Sequence, residues 1–348
     1  MKKSFQASAT HPPSLADVAA MAQVSTGTVS RALSRPEMIS EETRNRVMQA
    51  VNTLGYVANG AARTLAMRRS KTIGAVVLKF GSSNFSQLVE GLESMLTNKG
   101  YTLLLSASEA DGITEFSALR AMLARGVDAI ALLGFEDSPE TKDILSRYRV
   151  PHAHMWSDPR HGGNFIGLDE AKNGRIAIEH LSELGHRKIG VIWGYIGGPT
   201  RFRSRMRFEG LEDAANDLGI EILPKACIYT EHGFEQGRKA INEILDRQTE
   251  VTAIVCASDY LALGAMNGLH LRNKCPGKDL SIISFNDNDF SAYVHPPLTT
   301  IHLPIREMGF KTGHYLLKCL GEEMTADTYS LDVELRVRAT CRPLIDPE

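Results

Sequence analysis

The sequence predicts a small all-α head joined to a larger α/β body with two parallel sheets. Three observations predict it. Residues 14–56 carry only short helical periodicities, and Gly55 closes the last of them. From Thr72 onward, apolar runs of strand length alternate with helical stretches, the pattern of βαβ units. The run Lys71-Thr72-Ile73-Gly74-Ala75-Val76-Val77 is also echoed by Arg187-Lys188-Ile189-Gly190-Val191-Ile192. Each copy would open one of two similar subdomains, with a cleft between them where such folds bind ligands.

In the head, Asp17 to Ala22 is an apolar-periodic turn and a half. Ser25 caps a second helix running to Leu33. Ser40 caps a third, with Glu41 and Glu42 in its first turn and Val47, Val51 and Leu54 on one face. Val18, Ala19, Ala22, Val24, Val29 and Leu33 form the expected core, and the small residues let the first two helices approach closely. In the body, strands are expected at Ile73–Leu78, Tyr101–Leu105, Ala129–Leu133, Ile189–Trp193, Ala253–Cys256 and Ile282–Phe285. Several of the helices between them end at a glycine: Gly100, Gly126, Gly185 and Gly219.

A length of 348 residues allows two or three domains, and 43% hydrophobic with 23% charged residues is ordinary for a soluble chain. No apolar run reaches membrane-spanning length, and no apolar stretch follows Lys2 and Lys3 as a secretory signal requires. A cytoplasmic location is therefore expected. The five cysteines are odd in number and lack a C-x-x-C spacing, so free buried thiols are expected rather than disulfides or a zinc site. The net charge of −2 hides an asymmetry: nine Lys/Arg and four acids leave residues 1–70 at +5, against −7 for the rest. A basic head on an acidic body points to a polyanionic partner for the head alone.

The residues of the second helix sharpen that expectation. Its N-terminal turn offers free backbone N–H groups, and the hydroxyls of Ser25 and Thr28 can reach phosphates. The helix exposes Thr26, Gly27, Ser30 and Arg31, and Thr26 and Gly27 stand where a recognition helix meets base edges. Arg31, one turn on, can contact a guanine edge or a phosphate. A generic helical hairpin is the alternative for this stretch alone.

The wider pattern decides between them. From Leu15 to Thr72 the chain resembles the LacI/GalR family of bacterial transcription regulators. The motifs are D-V-A, A-x-V-S-x-x-T-V-S-R-x-L, I-S-x-x-T-R-x-R-V, L-G-Y and N-x-x-A-R-x-L-A, in order and spacing. The resemblance implies a helix-turn-helix head over 14–57, after a disordered lead over 1–13. A connector over 58–71 would become a hinge helix on DNA. Residues 72–348 would form a two-lobed, periplasmic-binding-protein-like domain for effector binding and dimerisation. Within the connector, Asn59 and Arg63 would meet DNA, and Leu65 matches the leucine that wedges between base pairs in the minor groove. An unstructured linker is the alternative there. Two departures stand out. Gln23 occupies a turn position where the family usually has Gly, so positive φ is expected there. Ala58 replaces the usual Pro, and with Gly60 it makes the connector helix harder to form without DNA.

Similarity continues through the body, in Glu179-His180-Leu181, Leu184-Gly185-His186-Arg187-Lys188-Ile189, Arg207-Phe208-Glu209-Gly210, Ser258-Asp259-Tyr260 and Pro297-Leu298-Thr299-Thr300-Ile301. By position, Arg207 matches the family's ligand-clamping Arg, whose guanidinium donates two parallel hydrogen bonds. Asn84 and Phe85 match the cleft edge. Trp156 and Asn286 stand where relatives often carry acids, and His232 where an aromatic is usual. Asp169, Arg203 and Ser258 are expected neighbours, with Arg201 beside them. Two carboxylates lost and several cations gained suggest an anionic effector such as a sugar acid or sugar phosphate; solvated loop arginines are the alternative.

His152 and His154 share one face of a strand but lack further ligands, so no metal and no cofactor are expected. No G-x-S-x-G, P-loop, G-x-G-x-x-G or H-E-x-x-H is present, and no enzyme is expected. The expectation is thus a homodimeric repressor on a pseudo-palindromic double-stranded operator, controlled by a small-molecule effector and away from membranes. With no heptad tail before Glu348, a dimer is expected rather than a tail-made tetramer. A solute-binding protein would need an export signal and no basic head. A sugar-active enzyme would need a catalytic pair in the cleft.

Overall fold

The computed structural model describes residues 11–57, 69–78, 83–108, 112–133, 138–156, 165–194, 202–325 and 331–344. The chain forms two compact units, Met1–Lys71 and Thr72–Glu348.

In the first unit, α1 (Leu15–Ala22) begins two residues earlier than its apolar period suggests, because Ser14 and Asp17 form a reciprocal capping box. Gln23 ends it in the left-handed region at φ 54°, the conformation foreseen for a non-glycine at this turn. Ser25 then caps α2 (Thr26–Ser34), and Ser40 caps α3 (Glu41–Leu54), which Gly55 closes at φ 62°. Val18, Ala19, Ala22, Val29, Ala32, Val47 and Ala50 make the buried core. Val24 and Leu33 sit at its rim instead, and Ala32 takes the central place.

The second unit has two lobes. The first is a fully parallel sheet in the order β2-β1-β3-β4-β5. Its strands are β1 (Thr72–Leu78), β2 (Thr102–Ser108), β3 (Ala129–Leu133), β4 (His152–Met155) and β5 (Phe165–Ile166), joined by α4 (Ser83–Thr97), α5 (Gly112–Ala124) and α6 (Pro139–Tyr148). The chain crosses to the second lobe at α7 (Glu170–Glu183), then continues through β6 (Lys188–Gly194), α8 (Phe202–Asp217), β7 (Glu221–Thr230), α9 (Phe234–Asp246), β8 (Ala253–Cys256), α10 (Asp259–Leu271), β9 (Ser281–Asn286) and β10 (Thr299–His302). It returns to pack α11 (Ile305–Cys319) against α4 and β4. It then re-enters the second sheet as β11 (Glu334–Arg336), giving the order β11-β10-β9-β8-β6-β7.

Both sheets are predominantly parallel, as expected; the β10–β11 pair at the edge of the second is antiparallel. Among the described residues between α11 and β11 there is no crossover helix, so nothing there imposes parallel entry. The ten-residue β7 was not foreseen. It is an edge strand with mixed burial, so it lacks the continuous apolar run of β8 or β9. The cysteine expectation also needs correction. Cys256 and Cys341 are buried and Cys227 is half-buried, but Cys275 and Cys319 are exposed, in the turn after α10 and at the end of α11.

Three helix pairs pack through reciprocal glycine notches. A Cβ on Gly174 of α7 would lie 2.0 Å from the carbonyl oxygen of Arg207, and one on Gly210 of α8 would lie 2.1 Å from that of Ala171. Gly91 and Gly309 notch α4 against α11, and Gly237 and Gly264 notch α9 against α10. Backbone touches backbone at each crossing, so side chains flanking the notch are brought close together.

The end of the chain is tied down by His186. Its Nε2 lies 3.2 Å from the carbonyl oxygen of Arg342 and so donates, and its Nδ1 lies 2.8 Å from the Thr252 hydroxyl. Burial holds His186, and likewise His180, below the ordinary histidine range.

Two outcomes are expected. Gly174→Ala forces α7 off α8, costing about 2 kcal/mol or more and lowering the melting temperature by several degrees in a calorimetric scan. The depressed histidines contribute stability that is complete above their unfolded pKa of about 6.5 and lost as pH falls below it. The melting temperature therefore drops on acidification through that window, and less steeply in His186→Gln.

Candidate functional site

The first unit presents one exposed polar edge along α2. Ser25, Thr26, Gly27, Ser30 and Arg31 are exposed, and Thr28 is half-buried. The Ser25 hydroxyl caps the Thr28 N–H at 3.1 Å and lies 2.9 Å from the Thr28 hydroxyl. Arg31 folds back, its Nε donating to the Gly27 carbonyl at 3.1 Å. Gly27 has ordinary space around it, since an added Cβ would meet nothing nearer than 3.7 Å. Its fold therefore does not require a glycine there. The connector residues Asn59, Arg63 and Leu65 lie outside the described residues, as does Arg201.

In the second unit, the strand ends of both lobes gather a cluster around one carboxylate. Glu170, in the first turn of α7, is 1% exposed. Its Oε1 accepts from the indole Nε1 of Trp156 at 2.8 Å, across from the first lobe. Its Oε2 accepts from Arg207 Nε at 2.8 Å and from Asn173 Nδ2 at 3.1 Å, and the Arg207 Nη2 lies 2.6 Å away. The α7–α8 notch explains the proximity, since Gly174 meets the backbone of Arg207 itself. The Arg207 guanidinium also lies 4.7 Å over the Phe285 ring, which packs edge-on against Trp193.

Trp156 follows β4 with φ 54°, fixed by its N–H bond to the Ile166 carbonyl. Phe85 of α4 meets its ring edge-on, with Asn84 half-buried beside it. Arg203 of α8 lies 4.8 Å over the indole, and its Nη1 donates to the Trp156 carbonyl at 3.3 Å. Burial lowers the Arg203 pKa to about 10, so it keeps its charge at neutral pH. Asn84, Phe85, Trp156, Arg203 and Arg207 thus stand together. Asp169 does something else: it is exposed and caps α7 through the Lys172 N–H at 3.0 Å. The carboxylate in the cluster is its neighbour, Glu170. Sequence reading passed over Glu170 because an acid after an Asp cap reads as an ordinary first-turn residue.

His232 and Ser258 pair separately, 3.2 Å apart, and the exposed imidazole occupies space that a Cβ on Gly194 would fill. Asn286 ends β9 at φ 113°, followed by Asp287 at φ 57°. This strained turn is held from beneath by Asp259, fully buried at the start of α10. One oxygen of Asp259 accepts from the Ser284 and Thr300 hydroxyls at 2.6 and 2.7 Å. The other accepts from the Asn288 N–H, the Asn288 amide and the Ser291 hydroxyl at 2.6, 3.1 and 2.9 Å. Burial still raises its pKa. Asp287 differs: burial pushes it up, but bonds from His302 and Arg338 outweigh that and hold it below the usual range. Among the described residues no group of three or more His, Cys, Asp or Glu is placed to hold a metal, and no helix is long and apolar enough to cross a membrane.

The chain matches two known families. Residues 14–59 match the bacterial regulatory proteins of the lacI family, and residues 178–341 match the periplasmic binding protein-like domain. It is 31% identical over 331 residues to the HTH-type transcriptional repressor CytR of Escherichia coli (strain K12), covering 94% of this chain and 96% of that one. It is 30% identical over 303 residues to the HTH-type transcriptional repressor PurR of Haemophilus influenzae (strain PittEE), covering 87% and 89%. Among solved structures it resembles the Lac repressor dimer bound to operator and the anti-inducer ONPF, with a TM-score of 0.84, 26% identity, and coverage of 95% and 100%.

One substitution series tests the scaffold of this site. Asp259→Asn replaces an acceptor among five donors and costs about 1–3 kcal/mol in urea unfolding. Asp259→Ala, which strands all five, costs more.

Proposed function

The chain belongs to the lacI family of bacterial regulatory proteins, and on that premise we propose that it is a sequence-specific DNA-binding repressor governed by a small-molecule effector. The observation that carries this reading is the exposed edge of α2, with Thr26, Gly27, Ser30 and Arg31 clear of the packed core. That edge is polar, short in side chain near the helix start, and set on a unit with a basic balance. Base edges in a major groove are its natural complement.

The proposed working form is a homodimer on a pseudo-palindromic operator. The Lac repressor structure that this chain resembles is a dimer bound to operator and an anti-inducer. Two heads would read successive major grooves. The segment over 58–71 would complete the contact through Asn59, Arg63 and the Leu65 wedge in the minor groove. Arg31 would exchange its bond to the Gly27 carbonyl for a guanine edge or a phosphate.

The effector would bind among Asn84, Phe85, Trp156, Arg203, Arg207, His232, Ser258 and Asn286, where the strand ends of both lobes meet. Trp156 belongs to one lobe, and Arg203 and Glu170 to the other. A ligand there would change how the lobes sit together, and through that the spacing of the two connectors. Operator and effector affinities would then be linked by one reciprocal coupling free energy. The relatives named above are repressors, and the proposed mechanism has no catalytic step.

Selection of bound genomic fragments, followed by gel shift, tests this. A palindromic site should emerge, with affinity falling steeply as salt rises. Arg31→Ala should weaken specific binding about ten- to a hundredfold while the head still melts normally. Failure to retain any duplex preferentially would end the proposal.

A further inference from the structure

The charges of the interlobe cluster do not balance. Its described members carry two guanidinium groups, Arg203 and Arg207, and one carboxylate, Glu170. The carboxylate is committed: it is 1% exposed, pairs with Arg207 through both Nε and Nη2, and takes further bonds from Trp156 and Asn173. Arg207 therefore has its counter-ion within the protein.

Arg203 has none. Among the described residues it makes one hydrogen bond, to the Trp156 carbonyl at 3.3 Å, and one stacking contact, with the Trp156 ring at 4.8 Å. The other described acids at the strand ends are occupied. Asp259 is enclosed by hydroxyl and amide donors, Asp287 is paired with Arg338, and Asp169 caps its helix at the surface. A half-desolvated cation without a paired acid is costly, and an anionic ligand would supply the opposite charge. The guanidinium lies over an indole, and among the described residues one of its five N–H donors is spent, which leaves donors for two parallel bonds to an oxyanion.

We propose that Arg203 is the anion-binding group of the effector site, and that the effector is a small molecule with a carboxylate or phosphate seated beside the Trp156 ring. This rests on the effector cleft described above and narrows it from any small metabolite to an anionic one. Arg207 plays a different part: it shapes the site through Glu170 and is not the group that neutralises the ligand.

Trp156 supplies the readout. Inorganic phosphate, acetate and glucuronate, each titrated against the full-length protein, should include at least one that changes tryptophan fluorescence saturably. The stronger of phosphate and the carboxylates identifies the anionic group. Arg203→Met, which keeps the apolar stem, should weaken that response at least about tenfold, and Arg203→Lys should weaken it less. Arg205→Met, on the exposed neighbour, should leave it unchanged. Calorimetric melts of each variant establish that it is folded. The proposal is overturned if none of the three anions saturates. It is equally overturned if Arg203→Met responds like the parent, or if a neutral sugar or nucleoside binds both alike. Operator binding separates this from the wider reading: variants that still shift an operator but never sense an anion sink the inference alone, whereas a protein that shifts no duplex sinks the functional reading.

Discussion

Glu170 is the point at which the larger unit is tied together. One carboxylate, almost wholly buried, accepts hydrogen bonds from the indole of one lobe and from the guanidinium and amide of the other. Such a group is unfavourable in isolation, because desolvating a charge costs several kcal/mol. It is tolerable here because the donors were already placed. Gly174 and Gly210 let α7 and α8 touch at the backbone, which brings Arg207 to Glu170, and Ile166 fixes Trp156 in a left-handed conformation. Replacing the carboxylate would leave a buried arginine and an indole N–H without partners, so the same feature that costs solvation also specifies one arrangement of the lobes.

The second lobe repeats the device at Asp259. There too a buried carboxylate gathers donors from separate elements, β9, the Asn288–Ser291 segment and β10, and so holds the turn that carries Asn286 and Asp287 at positive φ. The strain of that turn is borne by the network beneath it. The two carboxylates therefore fix the two sides of the proposed ligand site, while the charge left over sits on Arg203. In this account rigidity and specificity are separate properties of separate residues: Glu170 and Asp259 set shape, and Arg203 sets the sign of what fits.

Much of this was legible in the residues. Strand positions in the body followed from apolar runs, with Ala129–Leu133 and Ala253–Cys256 matching to the residue. Helix starts followed from Ser25 and Ser40, and helix ends from Gly55, Gly100, Gly126, Gly185 and Gly219, all at positive φ. What escaped was whatever depends on the third dimension. The edge strand β7 lacks an apolar run because half of it faces solvent. The antiparallel β11 depends on how the chain returns from the other lobe. Glu170 could not be distinguished from Asp169 by pattern, since both suit a helix start, and only the α7–α8 crossing decides which one is buried. The gathering of Phe85, Trp156, Arg203 and Arg207 was anticipated by position, but the internal pairing that leaves Arg203 alone was not.

The central claim is that Trp156 and Arg207 are coupled through Glu170, so that the two lobes share one buried charge network. A double-mutant cycle between Trp156→Phe and Arg207→Met, read as unfolding free energy in urea, measures it directly. The account predicts a coupling of about 1 kcal/mol or more, because each single change leaves Glu170 short of a donor that the other can no longer offset. Strict additivity of the two changes would mean that the lobes do not share the network, and would contradict the account.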